Sequence, residues 1–573
     1  MQLARLTLAN FLTLAWIMGS IGAQTCIAED EPTDREPAKQ LMSVQSLSRS
    51  IDQAVQAGYQ KANVTSTSTC SDEQFVRRVY LDLVGHIPTT AERTSFLADG
   101  RTDKREQLVD TLLGSEDHVQ HFADTFDTLM MGRTQPDKYH KRSQHWRPYL
   151  ERVFRENRPW NQVAREILLA RPQSPQEQGS VWFLFERNDN YQAIAEAVAP
   201  TFFGMRIDCA QCHDHMIASE IEQSHYWGLV AFFNRGKNQQ TKAGPRVVES
   251  AIGGFSDFAN LRGSSSPNLL TFFQAKVVDE ARPEKDAKQE ERDELYQTSP
   301  IADEPRIPLF SRREKFVDEI LKDHPLLARS MVNRLWAMLL GRGLVHPFDQ
   351  MNSAHEPSHP ELLDLLAEDF RQSGYDSRRI VRAIVNSRAY QLDSRKPPGV
   401  EDPAMFAWAL EKPLTAEQLS RSIQISFRNR FENNHALLTE LRSKLPDVMP
   451  ENIVTNISDA LYLSNNHHLT KFIAESSGEQ DLLGRISKLS DHELAAKELV
   501  MAFFGRQPDE AERNELRSYL ARHLPASTDG SEPSSSKSNV ENTDSNSLMS
   551  ARVRVWQQIA WALMTSAEFR FNH

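Results

Sequence analysis

The sequence predicts a mainly α protein: two helical domains with a loop-rich or small-β insert between them. Three observations carry this. Apolar residues recur at spacings of three and four through most of the chain, the period of a helix with one buried face. Ser or Thr followed three residues later by Glu or Gln opens several of these stretches, which is the spacing of a capping box. Across residues 236–308 both signals stop, and glycines, serines and a charged run over 280–294 take their place.

In chain order, Arg5 precedes an apolar run over residues 6–19 and then small residues. This is the layout of an export signal over residues 1–28, with Ala23 or Ala28 preceding the cut. Thr25 disfavours lipid modification of Cys26. Residues 29–48 are polar and read as a linker. A helical domain over 49–235 follows, where Ile51, Val55 and Tyr59 lie at helical spacing. Ser71 with Gln74 forms a capping box before a helix whose Phe75, Val76, Val79, Tyr80 and Leu83 share one face. Gly85 ends that helix, and Thr89 with Glu92 caps the next, which turns Phe96 and Leu97 inward. Leu108, Val109, Leu112 and Leu113 continue the period, and residues 146–170 and 191–203 read as further amphipathic helices.

The insert, residues 236–308, holds short apolar pieces such as Val247-Val248 and Phe272-Phe273 and reads as loops with a small hairpin. A second helical domain over 309–524 begins with Phe316, Ile320 and Leu321 and runs through residues 326–340 to a stop at Gly341 and Gly343. Ser358 and Glu361, with Pro360 between them, predict a capping box before Leu362, Leu363, Leu366 and Phe370. Ile380, Ile384, Val385 and Tyr390 belong to the next helix, and Thr415 with Gln418 repeats the device. Residues 525–548 are rich in Ser, Asn and Asp and are expected to be disordered. Residues 549–573 close the chain with Val553, Trp556, Ile559, Ala560, Leu563 and Phe569, an apolar docking stripe. The joint from Gly85 to Arg93 is echoed from Gly505 to Arg513, and convergent capping accounts for the likeness.

Composition narrows the function. Lys+Arg 66 against Asp+Glu 78 leaves a net charge of −12, which indicates no basic surface for nucleic acid. A hydrophobic share of 39% with 25% charged residues excludes a polytopic membrane protein and a wholly disordered chain, and only 4 cysteines exclude a disulfide scaffold. No transmembrane segment is expected beyond the signal. The chain is expected to be exported, to periplasm, cell envelope or beyond, and so to meet oxidising conditions.

The chemistry is concentrated in Cys209-Ala210-Gln211-Cys212-His213. C-x-x-C-H is the attachment sequence of c-type haem, in which two thiols join the porphyrin vinyl groups and the adjoining His ligates iron. With 4 cysteines in 573 residues, this spacing rarely arises by chance. Cofactor-binding residues are therefore Cys209, Cys212 and His213, with His213 as the proximal ligand of haem c. Met205, His225 and His118 are candidates for a second axial ligand. Other readings stand beside it: a disulfide or redox dithiol at Cys209 and Cys212 with no cofactor, or a zinc site built from Cys209, Cys212, His213 and His215. Cys70 has no evident partner and reads as a small buried apolar residue. His355-Glu356-Pro357-Ser358-His359 spells a zinc-protease signature by letters alone. That chemistry needs both imidazoles on one helix face, which Pro357 and Pro360 prevent.

The stretch Phe75-Val76-Arg77-Arg78-Val79-Tyr80-Leu81-Asp82-Leu83-Val84-Gly85-His86-Ile87-Pro88 resembles the planctomycete secreted cytochrome-like domain, a domain of unknown function that carries C-x-x-C-H. Phe203-Gly204 leading into the cysteine motif and on to Ala231-Phe232-Phe233 resembles it too. Val332-Asn333-Arg334-Leu335-Trp336, Gly341-Arg342-Gly343-Leu344-Val345, Ser387-Arg388-Ala389-Tyr390-Gln391 and the terminal Phe569-Arg570-Phe571-Asn572-His573 are similar to its usual C-terminal companion. The likeness runs from about Ile51 to the end, apart from the insert and the Ser-rich segment. It implies an exported, two-part helical protein with a cytochrome-like motif and no defined reaction, so the resemblance decides neither for nor against an enzyme. Met216 departs from the Pro usual there. Asn333, Arg334, Trp336 and Asp364 either line a cleft or serve as structural polar residues between helices. The leading expectation is an exported electron-transfer protein with a redox partner in the same compartment. The alternative is an exported non-redox enzyme or an envelope binding or structural protein.

Overall fold

The computed structural model describes residues 41–133, 142, 144–242, 244–284, 287–297, 305–433, 436–445, 448–449, 462–463, 465–524 and 541–573. The signal segment 1–28, the linker up to residue 40 and the Ser-rich stretch up to residue 540 lie outside them. The described chain is mainly helical, with three two-stranded antiparallel sheets among the described residues. Among them, no helix is long and apolar enough to cross a membrane.

Helix α1 (Val44–Ala62) begins inside the stretch expected to be linker. Ser43 caps it by accepting from the Ser46 N–H, and Leu47 extends the buried stripe of Ile51, Val55 and Tyr59 by one turn. Helix α2 (Asp72–Val84) carries the expected Ser71–Gln74 capping box, and α3 (Thr90–Ala98) the Thr89–Glu92 box. Helices α4 (Lys104–Leu113) and α5 (Glu116–Met131) pack against α2. The single helix expected over 146–170 is two, α6 (Trp146–Arg155) and α7 (Trp160–Leu169). Asn157 takes a left-handed φ of 47° between them and Pro159 forces the restart. Helix α8 (Tyr191–Val198) widens into a π turn, Ala199–Phe203, and α9 (Gln223–Phe233) leads into the insert.

The insert forms two hairpins: β1 (Gly236–Thr241) with β2 (Gly244–Glu249), and β3 (Asp257–Ala259) with β4 (Ser265–Pro267). The first is clamped to the helical body at Glu249. This buried carboxylate receives Arg171 at 2.8 Å and Arg313 at 3.4 Å, and burial of Glu249 with Arg313 makes the clamp costly to break.

Helices α10 (Pro325–Leu340), α11 (Pro360–Gln372) and α12 (Ser377–Val385) follow. The capping box expected at Ser358–Glu361 is not formed. His359 stands at the N-cap with no side-chain cap bond, and Ser358 Oγ meets His359 Nδ1 at 3.0 Å instead. Strand β5 (Lys412–Pro413) precedes α13 (Ala416–Arg428), whose Thr415–Gln418 box is present. Helices α14 (Ala436–Arg442), α15 (His467–Glu475), α16 (Leu482–Ser487), α17 (His492–Phe504) and α18 (Glu510–His523) build the last part. The closing helix α19 (Glu541–Thr565) starts within the segment expected to be disordered and buries Trp556, Ile559 and Ala560. Strand β6 (Phe571–Asn572) returns to pair with β5, placing Lys412 opposite Asn572.

Two apolar cores result, and they divide between Ala407 and Leu414 rather than at the insert. Helices α10–α12 share the first core with α1–α9. The second core holds residues from Leu414 onward together with Leu81 and Ile87. Helix α2 lies between the two. The pattern of Phe75, Val76, Val79, Tyr80 and Leu83 predicts one buried face, yet every residue from Phe75 to Val84 is buried. The second face is covered by the C-terminal part, and its arginines donate to backbone carbonyls. Arg77 donates to Phe503 O at 3.0 Å and Phe569 O at 3.1 Å, and Arg78 to Tyr390 O at 2.6 Å and Leu392 O at 2.8 Å.

Candidate functional site

The C-x-x-C-H segment occupies a 3-10 turn, Asp208–Gln211, between the π turn and α9. Ala210 is the buried anchor of the turn, its N–H donating to Ile207 O at 2.8 Å. Cys209 and Cys212 flank the anchor, and both are exposed free thiols. Helix α9 fixes the turn: Trp227 Nε1 and Gln223 Nε2 each donate to Gln211 O at 3.0 Å, and the Gln223 N–H donates to Asp214 Oδ1 at 2.8 Å. Gln223 Nε2 also reaches Ala259 O at 3.1 Å, and Trp227 stacks on Phe258, which bring the β3–β4 hairpin beside the motif.

His213 is half-buried, with Nδ1 2.7 Å from Asp214 O. A carbonyl only accepts, so this contact assigns the proton to Nδ1 and leaves Nε2 with its lone pair free for a metal. His215 has a different task. Its Nδ1 accepts from the Ile217 and Ala218 N–H groups at 3.3 and 2.9 Å, and its own N–H donates to Ile221 O at 2.9 Å, so it organises the loop after the motif. Next to it Met216 and Ile217 are 85% and 76% exposed, an unusual placement for two large apolar side chains.

The fit to the expected cofactors follows from these contacts. Two accessible thiols on one turn and an imidazole with Nε2 free suit a thioether-linked haem whose iron takes His213. The four-ligand zinc set is not assembled, since His215 Nδ1 is committed to its loop. Among the described residues no group of three or more His, Cys, Asp or Glu is gathered to hold a metal ion. The candidate second axial ligands lie in different settings. Met205 is buried with its backbone bridged to Gln350, and His225 Nδ1 accepts from the Glu222 N–H at 3.0 Å as part of the α9 cap. His118 is buried between α2 and α5, with Nδ1 2.8 Å from Leu83 O and its ring on Phe122.

The polar residues of α10 are structural. Asn333 Nδ2 donates to Val345 O at 2.9 Å and its Oδ1 accepts from the Val345 N–H at 2.9 Å, holding the loop that follows α10. Arg334 donates to Thr201 O and Pro200 O, both at 2.9 Å, satisfying carbonyls of the π turn. Trp336 packs edge-on against Phe406, and Asp364 pairs with Arg329 on the surface. His355 and His359 do not share a helix, because α11 begins at Pro360.

A second constellation lies at the seam of the two cores. A cavity of about 100 Å³ is lined by Asp82, His121, Thr125, Met338, Arg342, His346, Phe348, Lys412, Gln418 and Asn572, among others. Asp82 accepts from Lys412 Nζ at 2.5 Å, from Tyr390 Oη at 2.8 Å and from Asn572 Nδ2 at 2.8 Å. Burial pushes the Asp82 carboxyl up and the Lys412 ammonium down. Burial likewise lowers His121 to about 3, so its imidazole is neutral. Sequence reasoning passes over this cavity because its residues come from separate stretches spread from Asp82 to Asn572. A carboxylate amid the apolar Leu81-Asp82-Leu83 is the one local sign of it.

Residues 50–238 match the family model PSCyt2, a protein of unknown function (DUF1549), and residues 312–430 match PSD1, a protein of unknown function (DUF1553). No curated protein and no solved structure matches the chain. The first match spans α1 to β1 and includes the cysteine motif, and the second spans α10 to α13. The chain therefore carries the planctomycete-type pair of domains of unknown function, DUF1549 followed by DUF1553.

Proposed function

We propose that this is an exported redox protein carrying one covalently attached c-type haem, with Cys209 and Cys212 as the thioether residues and His213 as the proximal ligand. The observation that carries the reading is the joint state of the motif: two exposed free thiols on one anchored turn, beside an imidazole whose Nδ1 is held by Asp214 O. A bound c-type haem supplies one-electron exchange at iron. The chain's own residues do the rest. Gln223 and Trp227 hold the turn, Asp214 O sets the tautomer and ring orientation of His213, and Met216 and Ile217 offer apolar surface beside it. The electron partner is a protein of the same exported compartment, a reading supported by the apolar run after Arg5.

The test is spectroscopic. A Soret band that survives acid-acetone extraction of protein from its native host supports the assignment, and its loss in Cys209→Ala/Cys212→Ala ties it to the motif. A haem-free chain with Cys209 and Cys212 oxidised to each other supports the second reading, a redox dithiol, which the exposure of both thiols also favours.

A further inference from the structure

We propose that the cavity at the seam between the two cores is a binding site for a small monocarboxylate, anchored by Arg342. The charged groups lining it do not cancel. Lys412 is fully engaged, its Nζ donating to Asp82 Oδ1 at 2.5 Å, Met338 O at 3.0 Å and Leu339 O at 2.7 Å. Asp82 is balanced by that ammonium together with Tyr390 and Asn572. Arg342 is left over. Its guanidinium is half-buried and lines the cavity, its Nε is buried with no acceptor, and no carboxylate pairs with it among the described residues.

A partly desolvated guanidinium without a counter-charge is costly, and the planar fork of Arg matches the two oxygens of a carboxylate. A second contact is available from His121. It lines the cavity, and its Nδ1 is buried against Gly85, where a Cβ would lie only 2.5 Å away, with no hydrogen-bond partner among the described residues. The imidazole is neutral and so adds no charge of its own. Met338 and Phe348 supply apolar wall opposite these polar groups. About 100 Å³ is room for roughly three water molecules, which suits an acid of a few carbon atoms. Asp82 and His121 come from the DUF1549 region, Arg342 and Lys412 from the DUF1553 region. Ligand binding therefore explains why the two are joined, and it does not depend on the haem reading.

The experiment is calorimetric titration of the full exported chain at constant ionic strength with propionate, with its neutral isostere propionamide, and with inorganic phosphate. Propionate is expected to bind and propionamide not. Arg342→Met is expected to weaken propionate binding roughly tenfold or more, with Arg342→Lys in between, while the unliganded Arg342→Met protein melts no lower than the wild type because the uncompensated charge is gone. Absence of propionate binding, equal binding of propionamide, phosphate binding in its place, or equal affinity in Arg342→Met would each overturn the assignment. Should Arg342→Met fail to fold, Arg342→Lys and the wild-type preference of propionate over propionamide decide the matter.

Discussion

Asp82 and Lys412 are 330 residues apart in the chain and 2.5 Å apart in space, forming a buried ion pair where the two apolar cores meet. The pair sits between α2, which both cores enclose, and β5, which receives the C-terminal strand. Its neighbours Tyr390 and Asn572 complete the carboxylate's hydrogen bonds, so both family-matched regions and the C-terminal strand are fastened at one point.

Removing one partner should therefore cost more than removing both. Lys412→Met leaves Asp82 buried without its cation and is expected to destabilise by about 3–5 kcal/mol. Asp82→Asn/Lys412→Met removes both charges and should recover much of that loss, because the neutral amide keeps hydrogen bonds to Tyr390 and Asn572. Calorimetric melting reads the difference. A double variant that melts no higher than Lys412→Met shows that charge pairing is not what the site contributes.

Gly85 is required twice. Its φ of +75° at the end of α2 is left-handed, and a Cβ there would lie 2.5 Å from His121 Nδ1. Gly85→Ala is expected to destabilise by about 2–4 kcal/mol, of which roughly 1–2 kcal/mol is backbone strain and the rest overpacking. In the Gly85→Ala/His121→Ala pair the clash is gone and only the backbone cost persists, so the two effects should be non-additive. Strict additivity in melting temperature would show that the ring does not crowd Gly85.

Acid should weaken the fold through buried histidines. Burial lowers His118 to about 4 and His121 to about 3, against an ordinary value of 6.5. The unfolded chain therefore takes up protons that the folded chain refuses. Their contribution is complete above pH 6.5 and is lost as pH falls from 6.5 toward 4 and below. For His118 the full shift corresponds to about 3 kcal/mol. Asp127 acts in the opposite sense: burial raises it to about 6, so its contribution is complete below its ordinary 3.8 and is lost as pH rises through 6. Urea midpoints followed from neutral pH to mild acid should fall in the wild type and fall less in His118→Gln. Parallel curves for the two proteins would contradict the assignment.

The capping boxes at Ser71, Thr89 and Thr415 are legible in the sequence because each is closed by residues three apart. The box read at Ser358 fails for a reason also in the sequence: Pro360 supplies the first turn, and Ser358 turns to His359 instead. Burial of Arg77, Arg78 and Asp82 is not legible, since it depends on carbonyls and a lysine more than 300 residues away. The same limit hides the cavity, where Arg342 and His121 carry no local sign of being neighbours. The cysteine motif is the reverse case. Its residues are adjacent in sequence, and what only the fold adds is the pinning of the turn by Gln223 and Trp227 and the orientation of His213 by Asp214.

Single substitutions in the motif should separate its roles. Cys212→Ala is expected to leave at most one thioether, so that part or all of the haem extracts into acid acetone. His213→Ala should retain attachment and change the axial field of the iron, seen in the absorption and magnetic spectra. Spectra identical to wild type in both variants would remove these residues from the cofactor site.

The most direct measurement is the intact mass of the protein purified from its native host. A mass greater than that of the cleaved polypeptide by one haem is the predicted result. A mass equal to the polypeptide less two hydrogens, the signature of a Cys209–Cys212 disulfide, would contradict it.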